Sequence, residues 1–447
     1  MIRELQNYIN LKLSFELPNI IVKQRESEEP KVYEGPGSLY QDEEGNLILK
    51  MYSNISESFS SIFNDDSPPG KIIAENNYYD LTAVDMYGKI WKSEKVSIGK
   101  NYGDGGKFLI ILAGLNKVTC EENLPEIENG STLILYFNKN IKLPVSPFFE
   151  IPELKEKEIY KNVRLFTTLK IRDYQIIISE QTNWIEFNIS SKQSALPKNI
   201  DSRICEALQF ITYTKLNWFF FYKFEGKKYY QKLNNYNYYK IIEGLTPPYN
   251  INSGTSKPNW EIFKLYLNYI LDYPNPQKYH TISSLLNLII QAEKLPIDTR
   301  FQTICICIES ILKSEFDFEI EVDIKLKEHQ LDLIGYINEN INNEEYKKRL
   351  KSLIGQLSNT RPVDKLYKLA NDNLIEERMI LDWEWLRHPL IHGERIKTEK
   401  LQEYLDKYYS TLTLFYQLIF LKIGYIGKYT DYSSVKWPTK EFKNKLN

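Results

Sequence analysis

Residues 398–424 read TEKLQEYLDKYYSTLTLFYQLIFLKIG, and their apolar positions recur with the period of an α-helix. The recurring positions, at spacings of three and four, are Leu401, Leu405, Tyr408, Leu412, Phe415, Ile419 and Ile423. Side chains with this spacing lie on one face of a helix, so the stretch predicts a long amphipathic helix with a buried face. We expect Thr398 to be its N-cap, because a hydroxyl oxygen can accept a hydrogen bond from a free backbone N–H.

The helical period extends backwards from this stretch to about residue 259. We predict further helices there at about 259–273, 279–294, 297–315, 320–341, 343–357, 363–372 and 375–388. Before them, residues 244–258 are rich in Pro, Gly, Ser and Asn, which is typical of a domain boundary. We therefore expect a linker at 251–258, an all-α domain at 259–430 and a C-terminal tail at 431–447.

Residues 1–250 have the period of β-strands instead. Polar and apolar residues already alternate from Tyr8 to Leu17. Stronger strand patterns are GSLYQDEEGNLILKMY at 37–52, FLIILAGL at 108–115, STLILYF at 131–137 and VRLFTTLKIRDYQIIISEQTNWIEFNIS at 163–190. One helical pattern interrupts them, with Asp201 as its expected N-cap. The sequence thus predicts an α+β fold, in which a β-rich N-terminal domain at 1–250 precedes an all-α helical bundle.

Composition narrows the class of protein. The formal net charge is −2 over 447 residues, so contact with a nucleic acid would have to come from local clusters of positive charge. The four cysteines lack CxxC spacing, which argues against a zinc site or a disulfide framework, and we expect no metal or other cofactor. The N-terminus lacks a signal-peptide pattern, and no run of about 18 uncharged apolar residues occurs. We expect a cytoplasmic protein without membrane contact.

Two short patterns in the N-terminal half have both a structural and a functional interpretation. GDGGK at 103–107 resembles a phosphate-binding loop, but it lacks the GK[ST] ending and precedes a strand pattern, which favours a hairpin turn. GKKYYQKLNNYNYYK at 226–240 interleaves aromatic and basic residues, as proteins that stack single-stranded nucleic acid do. The same pattern is typical of an ordinary sheet surface, and this interpretation is favoured.

The segment WEWLRHPLIHGER at 383–395 holds two of the four histidines. Arg387, His388 and His392 combine a permanent cation with two imidazoles that titrate near neutral pH, which suits phosphoryl chemistry. The structural alternative is that Arg387 caps a helix end and His392 lies in a C-terminal turn. Residues five apart on a straight helix diverge by about 140°. Pro389 should therefore kink or end the helix at His388 and redirect His392.

The predicted helix at 297–315 carries the apolar run ICICIESIL, so we expect it to be buried nearly all round. Glu309 lies within this run, and a buried carboxylate needs a cation or hydrogen-bond donors. Arg387 is one available partner, and Arg300 or Lys313 is the alternative.

A helical domain in which an apolar helix carries an acidic residue, and a later helix ends in Arg, a polar residue, a short gap and His-Gly, resembles a HEPN domain. The family motif is Arg, four to six residues, then His, with Asn, Asp or His favoured after the Arg, and Arg387, His388 and His392 match it in type and spacing. The resemblance covers roughly residues 275–425. The order of domains, together with residues 37–52, further resembles the ApeA-like group of bacterial anti-phage proteins.

This resemblance implies a metal-independent endoribonuclease that acts in abortive infection. His392 would be the principal acid and base, Arg387 would neutralise the developing phosphorane, His388 would be a second polar contact, and Glu309 would support them. The implied partners are RNA, such as tRNA or another host or phage RNA, a second copy in a two-fold homodimer about the motif, and a phage-derived trigger at the N-terminal domain. The alternative is a non-catalytic module for dimerisation or for binding RNA or nucleotides, in a sensor or scaffold.

Overall fold

The computed structural model describes residues 2–53, 72–103, 108–123, 130–144, 164–192, 195–235, 242–243, 246–252, 254–275, 278–318, 324–356, 360–391 and 398–443. The chain forms two compact units, and each consists of two segments. Unit 1 comprises Met1–Glu206 and Lys215–Ile242, and unit 2 comprises Ala207–Thr214 and Glu243–Asn447. We expected one boundary near residue 250, whereas the chain passes between the units three times. In the described part of the chain, no helix is both long and apolar enough to cross a membrane.

Unit 1 begins with helix α1 (Ile2–Ile9) and is otherwise mainly β-structure. Its strands are β1 Ser14–Gln24, β2 Val32–Gln41, β3 Leu47–Ser53, β4 Tyr79–Val84, β5 Ile90–Val96, β6 Gly99–Gly103, β7 Phe108–Leu115, β8 Lys117–Asn123, β9 Ser131–Asn138, β10 Arg164–Ile171, β11 Tyr174–Glu180, β12 Trp184–Ser191, β14 Phe220–Glu225 and β15 Lys228–Asn234. The very short strands β13 (Thr214–Lys215) and β16 (Ile242–Glu243) complete the chain order.

The described strands of unit 1 form one antiparallel sheet of 14 strands. Their spatial order is β10, β11, β12, β9, β14, β15, β8, β5, β4, β1, β2, β3, β7, β6. Side chains alternate across it: in β12, Ile185, Phe187 and Ile189 are buried and their neighbours are more exposed. The predicted β-rich N-terminal half is therefore confirmed.

The strand pattern predicted at 37–52 is divided by a turn between β2 and β3. Oδ1 of Asp42 accepts hydrogen bonds from the backbone N–H groups of Glu44 and Asn46, at 3.0 and 2.7 Å. Gly45 has φ +84°, a left-handed conformation that glycine adopts without steric cost. These contacts close the turn between β2 and β3, which pair in the register Gln41 with Leu47.

The strand expected from Tyr8 onward is wrong at its start, because residues 2–9 are helical and β1 begins only at Ser14. Leu5 and Tyr8 are both buried in the core of unit 1, and their spacing of three places them on one side of α1. The hydroxyl of Tyr8 donates to the carbonyl of Asn234. Burial on one side of a helix therefore outweighed a short alternation that suits either structure.

Unit 2 is mainly helical. Its helices are α3 Lys257–Leu271, α4 Thr281–Ala292, α5 Ile297–Ser314, α6 Ile324–Asn340, α7 Glu344–Gln356, α8 Pro362–Asn371, α9 Glu377–Ile391 and α10 Leu401–Ile423, followed by strands β17 Gly427–Thr430 and β18 Thr439–Phe442. Each helix predicted beyond residue 259 has a counterpart. Helix α2 (Ile200–Thr212) contributes its last turns to this unit, where the ring of Phe210 lies 4.7 Å from that of Tyr266. Asp201 lies in the first turn of α2 and is not its N-cap, since the helix begins one residue earlier.

Described parts of the expected linker and tail, and the residues just before the linker, are folded in unit 2. The carbonyls of Thr246 and Pro247 each accept a hydrogen bond of 2.6 Å, from the hydroxyls of Tyr416 and Tyr432. Helix α3 begins at Lys257, inside the expected linker at 251–258. Strand β18 lies inside the expected tail at 431–447 and pairs with β17. The composition of residues 244–258 indicated a break in periodicity. Tertiary hydrogen bonds nevertheless hold Thr246 and Pro247, at the start of this stretch, in place.

Three local helix predictions differ from the structure. Helix α9 continues through Pro389 to Ile391 and does not end at His388. Pro389 has no backbone N–H, so one hydrogen bond of the helix is not made. Because only two residues of α9 follow Pro389, this loss does not end the helix before it. Thr398 starts a 3-10 turn, and Lys400 is the N-cap of α10 without a side-chain bond. Helix α5 is not buried all round, since Ile306 is exposed.

Candidate functional site

Helix α9 positions the candidate residues through its buried face. Met379, Ile380, Trp383 and Leu386 are buried and follow the helical period. Nε1 of Trp383 also donates to the carbonyl of Cys305 at 3.4 Å, which joins α9 to α5. Arg387 and His388 follow this anchored turn, with Arg387 partly exposed and His388 exposed. The hydrogen bond of the Trp383 indole therefore fixes the position of the helical turn that carries Arg387 and His388.

Arg387 and Glu309, which are 78 positions apart, form an ion pair. Nε of Arg387 donates to Oε1 of Glu309, and Nζ of Lys313 lies 3.9 Å from Oε2 of the same carboxylate. The guanidinium also lies 5.6 Å from the ring centroid of Trp383. Of the cations considered from the sequence, Arg387 and Lys313 both contact Glu309, whereas Arg300 pairs with Glu293.

The ion pair opens onto a cleft with a volume of about 400 Å³ between α5, α8 and α9. Its lining residues are Glu309, Lys313, Arg361, Pro362, Val363, Trp383, Glu384, Arg387 and His388. The side chain of Arg387 is 41% exposed, so its guanidinium remains accessible from the cleft. Three cations and two carboxylates lie in one concave surface, which can accept a negatively charged group.

Arg361 brings the third cation to the cleft from the N-terminus of α8. Its Nε and Nη2 atoms donate to the two carboxylate oxygens of Asp364, at 3.1 and 2.7 Å. These hydrogen bonds hold the pKa of Asp364 below its ordinary value and raise that of Arg361. The sequence reasoning missed Arg361, although an Arg-Pro pair directly before a helical pattern is a recognisable start signal.

Glu384 is a second residue that the sequence reasoning missed. The hydroxyl of Tyr367 on α8 donates to Oε2 of Glu384 at 3.0 Å. Glu384 precedes His388 by four residues, and side chains with this spacing share a helix face. Both line the cleft, so a carboxylate held from α8 and the imidazole belong to the same concave surface. The sequence WEWLRH at 383–388 already indicates that Glu384 and His388 share a helix face, because they are about one turn apart.

His392, the principal acid and base of the expected motif, lies outside the described residues, as does Gly393. The structure therefore brings Glu309, Arg387 and His388 to one cleft and leaves the position of His392 undescribed. The other two histidines lie elsewhere in unit 2. Nδ1 of buried His280 accepts from the backbone of Ile282 at the start of α4, at 3.1 Å, and His329 is exposed on α6.

Each of the two patterns of the N-terminal half is described only in part, and residues 236–240 of the second lie outside the described residues. Strands β6 and β7 pair on either side of residues 104–107, which are outside the described part of the chain. In β15, Tyr229 is buried in the core, so the aromatic and basic residues divide between the two faces of the sheet. Lys232 lies 4.3 Å from the ring centroid of Phe221, and burial lowers the pKa of its amine. These contacts are those of an ordinary sheet surface.

The cysteines are all buried and free, and burial raises the pKa of Cys120 and Cys307 to about 12. Thiols in such surroundings are poor nucleophiles. Among the residues that the structure describes, no three His, Cys, Asp or Glu side chains are grouped so that they could hold a metal ion.

No family model matches the chain, and neither a curated protein nor a solved structure is significantly similar to it. The geometry and charge of the cleft are therefore the basis for a functional interpretation.

Proposed function

We propose that the protein is a HEPN-type endoribonuclease that cleaves RNA without a metal, by attack of a 2′-hydroxyl, and acts in bacterial defence against phage. The observation that carries this proposal is the pairing of Arg387 with Glu309 at the wall of an open cleft, next to His388. The two residues come from helices far apart in sequence. An arginine that is held in place by a carboxylate and lines a cleft is suited to bind a phosphate.

The reaction needs a base, an acid and a counter-charge. The 2′-oxygen attacks the adjacent phosphorus as a base removes its proton, and the P–O5′ bond breaks as an acid protonates the leaving oxygen. The products are a 2′,3′-cyclic phosphate and a 5′-hydroxyl. We assign the main proton transfer to His392, the neutralisation of the phosphorane to Arg387, and a second contact to the phosphate or its proton to His388.

The charges of the cleft support an anionic substrate. Lys313, Arg361 and Arg387 exceed Glu309 and Glu384 by one positive charge, before any contribution from His388. The carboxylates have partners of their own, since Glu309 binds Arg387 and Glu384 accepts from Tyr367. Repulsion of an incoming phosphate by these carboxylates is thereby reduced.

We further propose that a second copy pairs with the first about the motif, because one copy offers few catalytic groups. The N-terminal domain would recognise a phage-derived trigger and restrain the nuclease. A fragment beginning at residue 258 would test this restraint poorly. It would lack Phe210 and Tyr213, both buried in unit 2, and the carbonyl of Thr246 that binds Tyr416. The full-length chain is the appropriate material.

A non-catalytic module that binds RNA or nucleotides is the second candidate. It is favoured by one observation: among the described residues, His388 is the single imidazole that lines the cleft. Binding without cleavage would need the cations alone. The two functions differ in whether the RNA product changes covalently.

The test is incubation of full-length protein with total RNA in EDTA, followed by analysis of the new ends. We expect 2′,3′-cyclic phosphates and 5′-hydroxyls, and resistance of DNA and of RNA with 2′-O-methyl at the cut site. Arg387→Ala and His392→Ala should each reduce cleavage at least about 100-fold, and His388→Ala less. Arg378→Ala is the matched control, because Arg378 is a partly exposed arginine on the same helix outside the cleft.

Several results would contradict the proposal. Cleavage that EDTA abolishes, equal cleavage of DNA, or 5′-phosphate ends would exclude the mechanism. Full activity of His392→Ala would exclude the residue assignment. Binding of RNA with no cleavage, lost in Arg387→Ala, would favour the second candidate.

A further inference from the structure

Strands β10, β11 and β12, at one end of the large sheet, carry a cavity with a volume of about 610 Å³. Its lining residues are Thr168, Leu169, Lys170, Arg172, Asp173, Tyr174, Gln175, Ser190 and Lys192. All of them belong to unit 1, and none lines the cleft formed by α5, α8 and α9. A volume of this size is in the range of sites that bind small molecules.

Three polar side chains of this cavity stand in one row across the sheet. Lys170 pairs with Gln175, and Gln175 pairs with Ser190. Side chains of paired residues project from the same face of a sheet. Lys192 follows Ser190 by two positions, just after β12 ends. Since neighbouring strands are about 4.8 Å apart, two lysines reach the cavity from strands about 10 Å apart, on either side of β11.

Arg172 adds a third cation from the turn between β10 and β11. This turn consists of Arg172 and Asp173 alone. Arg172 has φ +54°, a left-handed conformation that glycine adopts at a lower cost than any residue with a Cβ atom. The turn therefore accepts backbone strain at a position whose side chain lines the cavity. Strain of this kind is concentrated at functional sites.

The cavity has an excess of positive charge. Lys170, Arg172 and Lys192 exceed the carboxylate of Asp173 by two charges. Among the residues that the structure describes, neither Lys170 nor Lys192 forms an ion pair, whereas Nζ of Lys228 lies 2.8 Å from Oε1 of Glu121. Two lysines without a carboxylate partner thus share one concave surface, which attracts an anion.

A second cavity of the same sheet lacks this excess. It is lined by residues of β5, β8 and β15, and its lysines, Lys92 and Lys232, are balanced by Glu121 and Glu122. Excess positive charge is therefore not a general property of the cavities on this sheet. Lys92 is exposed, so it provides a matched control for the lysines of the first cavity.

The positive charge does not continue along the sheet. Beyond the cavity, the described residues on the same face of β11 and β12 are Ile177, Ser179, Trp184, Glu186 and Asn188. These residues include a carboxylate and no cation. A single-stranded nucleic acid is bound in a basic groove that follows its backbone over several nucleotides. The cavity is therefore better suited to a compact anion.

We propose that this cavity binds a compact anion with two or more linked phosphate groups, such as a nucleoside triphosphate or inorganic tripolyphosphate. Arg172 offers a planar fork of donors to the phosphate oxygens, and the two lysines bind them as point charges. The hydroxyl of Ser190 and the amide of Gln175 can donate further hydrogen bonds. The proposal does not depend on the nuclease activity, because it concerns residues of unit 1.

The test is calorimetric titration of the full-length protein with tripolyphosphate, in EDTA and at low ionic strength, where charges are weakly screened. We expect saturable binding. Lys170→Glu/Lys192→Glu should weaken it at least about 100-fold, because each change removes a charged donor and adds a repelling carboxylate. Lys92→Glu is the control and should change the dissociation constant by less than about threefold.

Arg172→Gly tests the turn separately. It should weaken binding at least about tenfold, because a charged donor is lost. The midpoint of thermal unfolding should not fall, since glycine suits the left-handed conformation. A residue retained for stability would show the opposite pattern, with unchanged binding and a lower midpoint, and that result would remove Arg172 from the site.

Two further titrations identify the ligand and its location. ATP that binds as tightly as tripolyphosphate would show that the phosphate chain alone is recognised, and tighter binding of ATP would show that the nucleoside adds contacts. Arg387→Ala removes a cation from the cleft of unit 2. It should leave the binding of tripolyphosphate within about threefold of wild type.

The wild type would overturn the proposal if it bound neither tripolyphosphate nor ATP. So would wild-type affinity in Lys170→Glu/Lys192→Glu, or a loss of binding in Arg387→Ala alone, which would place the anion in the cleft. An RNA oligonucleotide that binds more tightly than tripolyphosphate, and loses affinity in the double variant, would assign the cavity to nucleic acid instead. Both lysines are exposed, so the double variant should remain folded, and circular dichroism checks this.

Discussion

The hydroxyl of Tyr367 donates a hydrogen bond of 3.0 Å to Oε2 of Glu384, and so connects α8 to the helix that carries Arg387 and His388. Burial, together with the hydrogen bond and the charge of Glu384, raises the pKa of Tyr367. The phenol therefore stays protonated and keeps donating at neutral pH. One oxygen of Glu384 is thus occupied, and the carboxylate is held one helical turn before His388.

The first prediction concerns this pair and rests on the proposed function. Glu384→Gln and Tyr367→Phe should each lower RNA cleavage about tenfold, because His388 loses a fixed carboxylate on its own helix face. The free energy of unfolding should change little, since both side chains lie near the surface of the bundle. Single-turnover cleavage assays measure the effect, and Glu377→Gln, an exposed glutamate in the first turn of α9, is the control. Cleavage within twofold of wild type in both variants would remove Glu384 from the site.

The second prediction concerns the strength of the pairing between Arg387 and Glu309. A double-mutant cycle with Arg387→Ala and Glu309→Ala should give a coupling of about 1 kcal/mol in the free energy of unfolding. The value is modest because Arg387 is partly exposed, so water screens the attraction. Urea unfolding measures it. The cycle of Glu309 with Lys313, at 3.9 Å, is the comparison and should give less than about 0.5 kcal/mol. Equal couplings would mean that Glu309 does not select Arg387.

The third prediction concerns pH and the end of unit 2. Asp431 is buried; burial would raise its pKa, but hydrogen bonds from Lys440, Ser433 and Ser434 outweigh this and hold the pKa below its ordinary value. Nζ of Lys440 lies 2.7 Å from Oδ2. A depressed pKa in the folded state stabilises the fold above the unfolded value of about 3.9, and this contribution is lost as the pH falls through the folded value.

Asp431→Asn should therefore lower the free energy of unfolding by about 2 kcal/mol at pH 7, with the difference shrinking below about pH 4. Urea unfolding across this pH range is the measurement. Glu441→Gln changes an exposed carboxylate on β18 and should have an effect within about 0.5 kcal/mol throughout. A loss that does not depend on pH would show that shape, and not charge, matters at Asp431.

The elements of this fold follow closely from local pattern where the pattern is long. The helix from Leu401 to Ile423 spans six turns with an unbroken period, and every helix predicted after residue 259 is present. The pattern fails where it is short. Residues 2–9 form a helix because Leu5 and Tyr8 reach the core, although the alternation that begins at Tyr8 suits a strand.

The sequence predicted the chemistry of the site but not which residues lie together in it. The spacing of Arg387 and His388 within one helix identified them as candidates, and the cost of burying a carboxylate identified Glu309. From the sequence, an ion pair between Arg387 and Glu309 was only one of several possible pairings. Arg361 is the N-cap of α8 and Tyr367 lies within that helix, and nothing in their sequence neighbourhoods indicates a cleft.

The sequence by itself determined the α+β character, the helices beyond residue 259 and the residue types available for phosphoryl chemistry, because these depend on periodicity and on side-chain identity. Tertiary structure alone decided that Thr246 and Pro247 are hydrogen-bonded into unit 2, and that Arg387 pairs with Glu309 while Arg300 pairs with Glu293. The physical reason is that partner choice depends on distances between segments far apart in the chain, and packing sets those distances only once the chain has folded.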